Sequence, residues 1–354
     1  MTDFMNGLTL NQLFYAEVVH PILKSHFLKL EYSAALIGWG SDVLGYDDLQ
    51  STDHNWGPRL QLFISEQDFE KYRTAIDEVL HTELPPEFLG YPTAFPIFVE
   101  DESGPVKHNV EIETIKGYFS RYLGCDPYHE IGVGDWLTFA EHKLLTITSG
   151  KVFHDGLHEL EPIRQKFRYY PQEIWLYLLA AQWKKICEEE AFVGRCGYVG
   201  DELGSMLIAA RQVKNLMRLC FLMEHKYAPY SKWFGTAFAH LTCAHELSPI
   251  FMQILQAQEW KARQEFLATA YEIVAHMHNA LGITIGLNET TAQYHGRPYL
   301  VINGDRYGEE LRKVVTSEEV RNIKHNLGSI NQFVDSNDQL GNPNLCIKLK
   351  DIYS

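Results

Sequence analysis

The sequence lacks the features that would mark a secreted or membrane-spanning protein. Its six cysteines include no CxxC pair, and no run of 18 apolar residues occurs. The first residues also lack the basic segment followed by an apolar run that is typical of a secretory signal. We therefore expect a cytoplasmic protein with reduced thiols and no membrane partner.

The chain also lacks an excess of basic residues. Lysine and arginine number 31 against 46 acidic residues, which gives a formal net charge of −15. A protein that grips nucleic acid through its phosphates usually has a basic surface, so we do not expect nucleic acid as a partner, although a local basic groove is compatible with this balance. No internal repeat or low-complexity run occurs.

What is present is an ordinary globular composition, with 45% hydrophobic and 22% charged residues over 354 positions. This length suits two compact cores and a tail. The apolar pattern of the first part predicts helices at 7–28 and 66–81 and strands at 32–37, 53–65, 95–99 and 108–115. Strands separated by helices favour a mixed first domain.

From about residue 135 to 290 the apolar spacing is helical and indicates a bundle. The predicted helices are 172–191, 201–226, 229–244 and 248–281. The last 60 or so residues are mixed, with a strand expected at 299–302. The sequence thus predicts an α+β fold with three parts: 1–150, 151–290 and a C-terminal extension, 291–354, packed on the helical domain.

The most informative segment is the glycine–serine turn after the first strand, Gly38-Trp-Gly-Ser41. Gly40 lets the backbone approach a ligand closely, and Ser41 adds a hydroxyl. Backbone N–H groups in such a turn form a concave anion site, and a helix that begins near Ser41 would add its positive end. The turn therefore predicts phosphate binding.

Oxygen-bearing side chains follow on the second predicted strand. If Asp53 begins this strand and the pleat is unbroken, Asp53, Asn55, Arg59 and Gln61 share one face, because side chains alternate along a strand. The opposite face is apolar. Pro58 cannot donate a ladder hydrogen bond, so we expect a bulge or a sheet edge there.

The strand at 108–115 repeats this pattern, with Glu111 and Glu113 on one face. If the two strands are neighbours, Asp53, Asn55 and one of these glutamates converge. Oxygen ligands grouped in this way suit magnesium, which would neutralise charge on a triphosphate during in-line displacement.

A Gly-Ser turn, an Asp-x-Asp-like pair about a dozen residues later and a carboxylate on a third strand resemble the DNA polymerase β-type nucleotidyltransferase superfamily. The chain also resembles, over most of its length, a bacterial family of unknown function, DUF4037. The segments that carry this second resemblance are 40–41, 53–59, 118–124, 135–139, 190–195, 201–204 and 228–233. The resemblance implies a nucleotidyltransferase-type mixed sheet, then a helical bundle and a mixed tail.

The resemblance further implies a substrate. Gly40 and Ser41 would hold a nucleoside triphosphate, with ATP as the expected nucleotide, and Arg59 is a candidate for a further phosphate contact. The nucleotidyl group would pass to an acceptor hydroxyl, which we expect to belong to a small molecule. The pattern defines neither the acceptor nor the oligomeric state.

For the metal, the resemblance implies Mg²⁺ or Mn²⁺ bound by Asp53, Asn55 and Glu111. Glu111 would also act as the base on the acceptor hydroxyl, as in aminoglycoside-modifying relatives, and Glu113 stays open as the alternative. One residue departs from the superfamily pattern, because Asn55 stands where a second carboxylate is usual. An amide oxygen can ligate a cation but carries no charge.

Three functions therefore stay open. The first is a metal-dependent nucleotidyltransferase that modifies a small molecule. The second is a catalytically weakened relative that binds nucleotides or a partner, as the change at Asn55 suggests. The third is a transferase that acts on protein or RNA, although the acidic charge argues against RNA.

Several other residues have simpler interpretations. Glu188-Glu189-Glu190 is expected to be a solvated helix face. Glu202 and Arg211 could line the acceptor pocket of the helical domain. His154-Asp155 resembles half of a metal phosphohydrolase site, which would need further His and Asp ligands.

Overall fold

The computed structural model describes residues 4–53, 56–95 and 107–353, without the side chain of Asp53. The fold class is α+β, as predicted. The chain forms two compact units, one of Met1–Ile131 with Lys143–Arg168 and one of Gly132–His142 with Tyr169–Ser354. The first unit thus extends past the expected boundary at 150, because a strand at Lys151–Asp155 joins its sheet.

Four strands form the main sheet of the first unit, and two short strands pair separately. The strands are β1 (Tyr32–Leu36), β2 (Arg59–Ile64), β3 (Glu87–Phe88), β4 (Tyr91–Pro92), β5 (Asn109–Glu113) and β6 (Lys151–Asp155). The sheet order is β5-β2-β1-β6. β1 is antiparallel to both of its neighbours, whereas β2 and β5 are parallel.

The helices up to residue 168 include those predicted at 7–28 and 66–81 and one at Ile115–Leu123 that was not predicted. They are α1 (Gly7–Phe14), α2 (His20–His26), α3 (Ser41–Leu44), α4 (Glu66–Glu83), α5 (Ile115–Leu123), α6 (Val133–Thr138), α7 (Glu141–Thr148) and α8 (Leu160–Lys166). A π-helical turn at Tyr15–Val19 joins α1 to α2. Pro21 lies in the first turn of α2, directly after this π-helical turn.

The apolar face of β2 builds the core of the first unit. Leu60, Leu62 and Ile64 pack with buried residues of α1 and α2, such as Leu10 and Phe14. The alternate residues of β2 face the other side of the sheet, where Phe63 contacts Tyr118 of α5 with ring centroids 5.4 Å apart. The candidate site lies on this second side.

Two expectations for the first unit are wrong, and a third concerns residues that the structure does not describe. The prediction that Asp53 begins β2 is wrong, because Asp53 ends a 3₁₀ helix, Leu49–Asp53, and β2 starts at Arg59. Gly57, at φ 142°, and Pro58 separate the two elements. The segment Lys151–Asp155 was expected to be helical, and it forms β6 instead. Buried and exposed residues do not alternate along this partly exposed strand, so its sequence lacks the usual strand pattern. The strand predicted at 95–99 lies outside the described residues beyond Phe95.

The second unit is mainly helical, as predicted. Its helices after residue 168 are α9 (Gln172–Glu189), α10 (Phe192–Tyr198), α11 (Glu202–Met223), α12 (Ser231–Phe238), α13 (Ala244–Gln256), α14 (Trp260–Ala280), α15 (Asp305–Val314), α16 (Glu318–Asn322), α17 (Ile330–Phe333), α18 (Asn337–Gly341) and α19 (Pro343–Cys346). Two short strands, β7 (Ala292–Gln293) and β8 (Leu300–Val301), pair within the tail. Of the helices in the described ranges, none is both long enough and apolar enough to span a membrane.

α9 is the central helix of this unit and packs against α11 and α15. Its Trp183 is fully buried and stacks on Tyr307 at a centroid distance of 4.3 Å. The interpretation of Glu188–Glu190 as a solvated face is wrong for its last residue. Glu190 is buried, and its Oε2 accepts hydrogen bonds from the backbone N–H groups of Ile302 and Asn303 at 2.9 and 3.0 Å.

Candidate functional site

The glycine–serine turn leaves the end of β1 in a conformation that requires glycine. Gly38 and Gly40 have φ of 84° and 134°, in the region that side chains disfavour. A β-carbon at Gly38 would lie 2.3 Å from the hydroxyl oxygen of Tyr118, and one at Gly40 would lie 2.2 Å from Asp42 Oδ1. Both positions therefore exclude any larger residue.

α3 begins at Ser41, as predicted, but it is a single turn of four residues. So short a helix adds little dipole to the site, because the macrodipole is a sum over aligned peptide units. The N–H of Gly38 is already used, since it donates to the carbonyl oxygen of Thr146 at 3.0 Å. Phosphate binding here would depend on the remaining N–H groups of the turn and on the Ser41 hydroxyl.

A buried ion pair supports the turn from inside. Arg59 Nη2 donates to Asp42 Oδ1 at 2.7 Å and to the carbonyl oxygen of Trp39 at 3.1 Å. The Arg59 and Asp42 side chains are only 4% and 1% exposed. Arg59 was a candidate for phosphate contact, and the structure places its guanidinium behind the turn, where it holds Trp39 and Asp42 together.

Asp42 was not recognised from the sequence. Its Oδ1 also accepts a hydrogen bond from the N–H of Val43 at 3.0 Å, which ties the carboxylate to the first turn of α3. Its Oδ2 and the Nε of Arg59 are buried and make no hydrogen bond with the described residues. The only sequence signal was an acidic residue directly after a glycine–serine turn.

Glu111 and Glu113 lie on one face of β5, beside β2, as predicted. In the parallel register, Glu111 is paired with Gln61 and Glu113 with Phe63. Both carboxylates are bound by one arginine: Arg121 Nη2 donates to Glu111 Oε1 at 2.5 Å and to Glu113 Oε1 at 3.0 Å. Burial raises the pKa of Glu113, while Arg121 opposes the shift and Glu111 adds to it.

The register separates the two glutamates. Gln61 is also paired with Ala35 of β1, and its Oε1 accepts a hydrogen bond from the N–H of Ile37, directly before the turn. Ala35, Gln61 and Glu111 thus form one row across three strands, and on β1 this row lies three residues before Gly38, where the turn begins. Glu113 lies one row further away, about 7 Å along the strand. The geometry favours Glu111 as the carboxylate nearer to the turn.

Tyr118 closes this side of the sheet. It is fully buried between Phe63 and Tyr122, and its hydroxyl points at Gly38 without a hydrogen-bond partner among the described residues. Burial raises the pKa of this phenol well above its usual value. Tyr118 and Arg121 belong to the segment 118–124, which the sequence marked only by family resemblance.

The predicted metal ligands are described only in part. Asn55 and the side chain of Asp53 lie outside the described residues. Within the described ranges, no group of three or more His, Cys, Asp and Glu side chains could hold a metal ion. Glu111 is the one proposed ligand whose side chain is described, and Arg121 binds its carboxylate. The described residues do not by themselves form a metal site.

The alternative at His154-Asp155 has a structural explanation. Asp155 accepts hydrogen bonds from Ser33 Oγ at 2.6 Å and from the backbone N–H of Glu161 at 3.0 Å. These bonds, together with the N-terminal N–H groups of α8, hold the pKa of Asp155 below its usual value against the effect of burial. Asp155 therefore joins the sheet to the start of α8.

Comparison with known proteins gives one match. No curated protein and no solved structure matches the chain. Residues 136–234, less than a third of the chain, match the model of a family described as a domain of unknown function (DUF4037). The match includes the resembling segments at 190–195, 201–204 and 228–233, and it does not include the glycine–serine turn, Asp53 or Glu111. It thus supports the DUF4037 family over residues 136–234 of this chain.

Proposed function

We propose that this chain is a nucleotidyltransferase that moves a nucleoside monophosphate from a triphosphate, expected to be ATP, to a hydroxyl of a small molecule. The observation that carries the proposal is the row formed by Ala35, Gln61 and Glu111. It aligns Glu111 of β5, two strands away from β1, with Gln61, whose side chain also accepts a hydrogen bond from the N–H of Ile37 shortly before the Gly40–Ser41 turn. A nucleotide-binding turn beside a carboxylate is the arrangement that this reaction needs.

In the proposed reaction, the acceptor oxygen forms a bond to the α-phosphorus as the bond from that phosphorus to pyrophosphate breaks. The N–H groups of the turn and the Ser41 hydroxyl would hold the phosphates. The Glu111 carboxylate would take the proton from the acceptor hydroxyl. Before it could do so, its hydrogen bond to Arg121 must loosen or be shared with the acceptor.

A divalent cation, Mg²⁺ or Mn²⁺, belongs to the proposal as an expectation. When bound, such an ion neutralises charge on the transferred phosphate. The residues proposed to hold it are Asp53, Asn55 and Glu111. Of these three side chains, only that of Glu111 is described, so the need for a divalent cation is best tested by measuring activity with and without the metal ion.

A second candidate function is nucleotide binding without transfer. Two observations favour it: Asn55 stands where a carboxylate is usual, and the carboxylates of Glu111 and Glu113 are both bound by Arg121. In this case calorimetry is expected to show nucleotide binding that barely responds to a chelator or to Asp53→Ala. Strong metal dependence would favour the enzyme.

The proposed activity predicts a specific pattern of variants. With ATP labelled at the α-phosphate, either metal ion and a pool of small metabolites, the chain is expected to transfer the label to an acceptor and to release unlabelled pyrophosphate. Glu111→Gln should lower the rate by about 10²–10⁴-fold, the usual contribution of a general base. Asn55→Asp should raise the rate, because it restores a charged ligand.

Glu113→Gln is the matched control for Glu111→Gln. It changes the same group, on the same strand face and with the same Arg121 partner, one row further from the turn. Its effect on the rate is expected to be small. Equal losses in the two variants would contradict the role given to Glu111, and no pyrophosphate from either the native chain or Asn55→Asp would contradict the activity itself.

A further inference from the structure

A polar cavity of about 300 Å³ lies within the second unit, lined by α9, α11, α17 and the residues after α17. α11 contributes Arg211, Lys214, Asn215 and Arg218. These residues are spaced three, four and seven positions from the first, so they share one face of the helix. α9 adds Lys185, so four cationic side chains line the cavity together with three carboxylates, those of Glu188, Glu189 and Asp335.

Each cation of α11 contacts one carboxylate. The pairs are Arg211 with Glu189 at 2.5 Å, Lys214 with Asp335, and Arg218 with Glu141 at 2.9 Å. They differ in exposure. The Arg218–Glu141 pair is largely buried, with side chains 15% and 6% exposed, whereas the Asp335 side chain is 84% exposed.

Lys185 differs from the other three cations. Its Nζ donates to the backbone carbonyl of Gln332, and it forms no ion pair with any carboxylate of the described residues. Burial lowers the pKa of Lys185, and the positive charges of Arg218 and Lys214 add to this effect against the opposing charges of Asp335 and Glu188. A half-buried ammonium beside two other cations favours an additional negative charge.

Asp335 occupies the place where such a charge would act. Lys214 holds the pKa of Asp335 below its usual value, and Lys185 and Arg218 add to the effect. Three cations thus act on one exposed carboxylate. An anionic group from solution can replace it at little electrostatic cost, because one negative charge is exchanged for another and the displaced carboxylate returns to water.

We propose that this cavity binds a small anionic molecule through a carboxylate or phosphate group that displaces Asp335 and contacts Lys185, Lys214 and Arg218. Its volume is at the lower end of the range for small-molecule sites. The side-chain amide of Asn215 lines the same cavity and can recognise a polar part of the ligand. This proposal rests only on residues of the second unit, and neither it nor the proposed nucleotidyl transfer depends on the other.

Calorimetric titration of the full chain with inorganic phosphate, and separately with succinate, at an ionic strength fixed with sodium chloride tests this proposal. At least one of the two anions is expected to bind, and the tighter one identifies the preferred group. Lys185→Met, which keeps the apolar stem and removes the charge, should weaken binding about tenfold or more, as expected for a lost hydrogen bond to a charged group. Asp335→Asn should tighten binding several-fold, because it removes the internal competitor.

Lys313→Met is the matched control, since it makes the same change at an exposed lysine of α15 that is paired with Glu310. Its affinity should equal that of the native chain. The Asp335→Asn variant guards against misfolding as an explanation, because a damaged protein would not bind more tightly. Failure of both anions to bind, equal affinities in Lys185→Met and Lys313→Met, or weaker binding in Asp335→Asn would each overturn the proposal.

Discussion

Replacing Arg59 with methionine is expected to lower the free energy of unfolding of the first unit by about 3–5 kcal/mol. The reason is that the substitution leaves the buried Asp42 carboxylate without its positively charged partner. Asp42 is 1% exposed, its Oδ1 would lose the guanidinium at 2.7 Å, and its Oδ2 already makes no hydrogen bond with the described residues. A buried charge without a partner is far more costly than the loss of an exposed ion pair.

The measurement is urea unfolding followed by circular dichroism. Arg121→Met is the control, because it makes the same substitution in the same unit at an arginine that is half-exposed and paired with Glu111 and Glu113. It should cost no more than about 1 kcal/mol. Adding Asp42→Asn to Arg59→Met should recover part of the loss, since the unpaired charge is then removed. A loss in Arg59→Met no larger than in Arg121→Met would show that the pair does not support the turn.

The second large effect concerns Glu190 and pH. Burial raises the pKa of this carboxyl to about 7, although the N–H groups of Ile302 and Asn303 oppose the shift. A carboxyl with a raised pKa in the folded state contributes stability that is fully present below its unfolded value, near 4.5, and is lost as the pH rises through 7. The titration of Glu190 alone should therefore lower the free energy of unfolding by roughly 3 kcal/mol as the pH rises from below 4.5 to above 7.

Glu190→Gln removes this dependence, because the amide does not titrate in this range while its oxygen can still accept the two backbone hydrogen bonds. Near pH 5 the variant should match the native chain, and near pH 8 it should be more stable. Urea unfolding at several pH values measures the difference, with Glu188→Gln, an exposed neighbour on the same helix, as the control. Parallel pH profiles for the native chain and Glu190→Gln would refute the assignment.

Much of the candidate site was predictable because its pattern is local. The alternation in β5 correctly placed Glu111 and Glu113 on one face, and the glycines of the turn indicated a special backbone conformation. The condition that β2 and β5 be neighbours is met by their parallel pairing. The start of β2 was misplaced, because Gly57 and Pro58 interrupt an alternation that otherwise continues on both sides of them.

The partners of these side chains were not predictable. Nothing in the spacing indicates that Arg121 binds both glutamates or that Asp42 neutralises Arg59. Glu190 shows the same limit, because a run of three glutamates is usually solvated. Its hydrogen-bond donors at Ile302 and Asn303 lie 112 and 113 residues further along the chain.

The sequence by itself determined the α+β class, most of the long helices, the strands β1, β2 and β5, and the apolar faces of β2 and β5, because periodicity is a property of neighbouring residues. Only the tertiary structure decided which charges are buried and which partner each one has. These features arise when distant segments come together and exclude water, and the free energy of a charge depends on that final environment. For this reason the turn and the glutamates were found in the sequence, whereas the Asp42–Arg59 pair, the burial of Glu190 and the polar cavity appeared only in the fold.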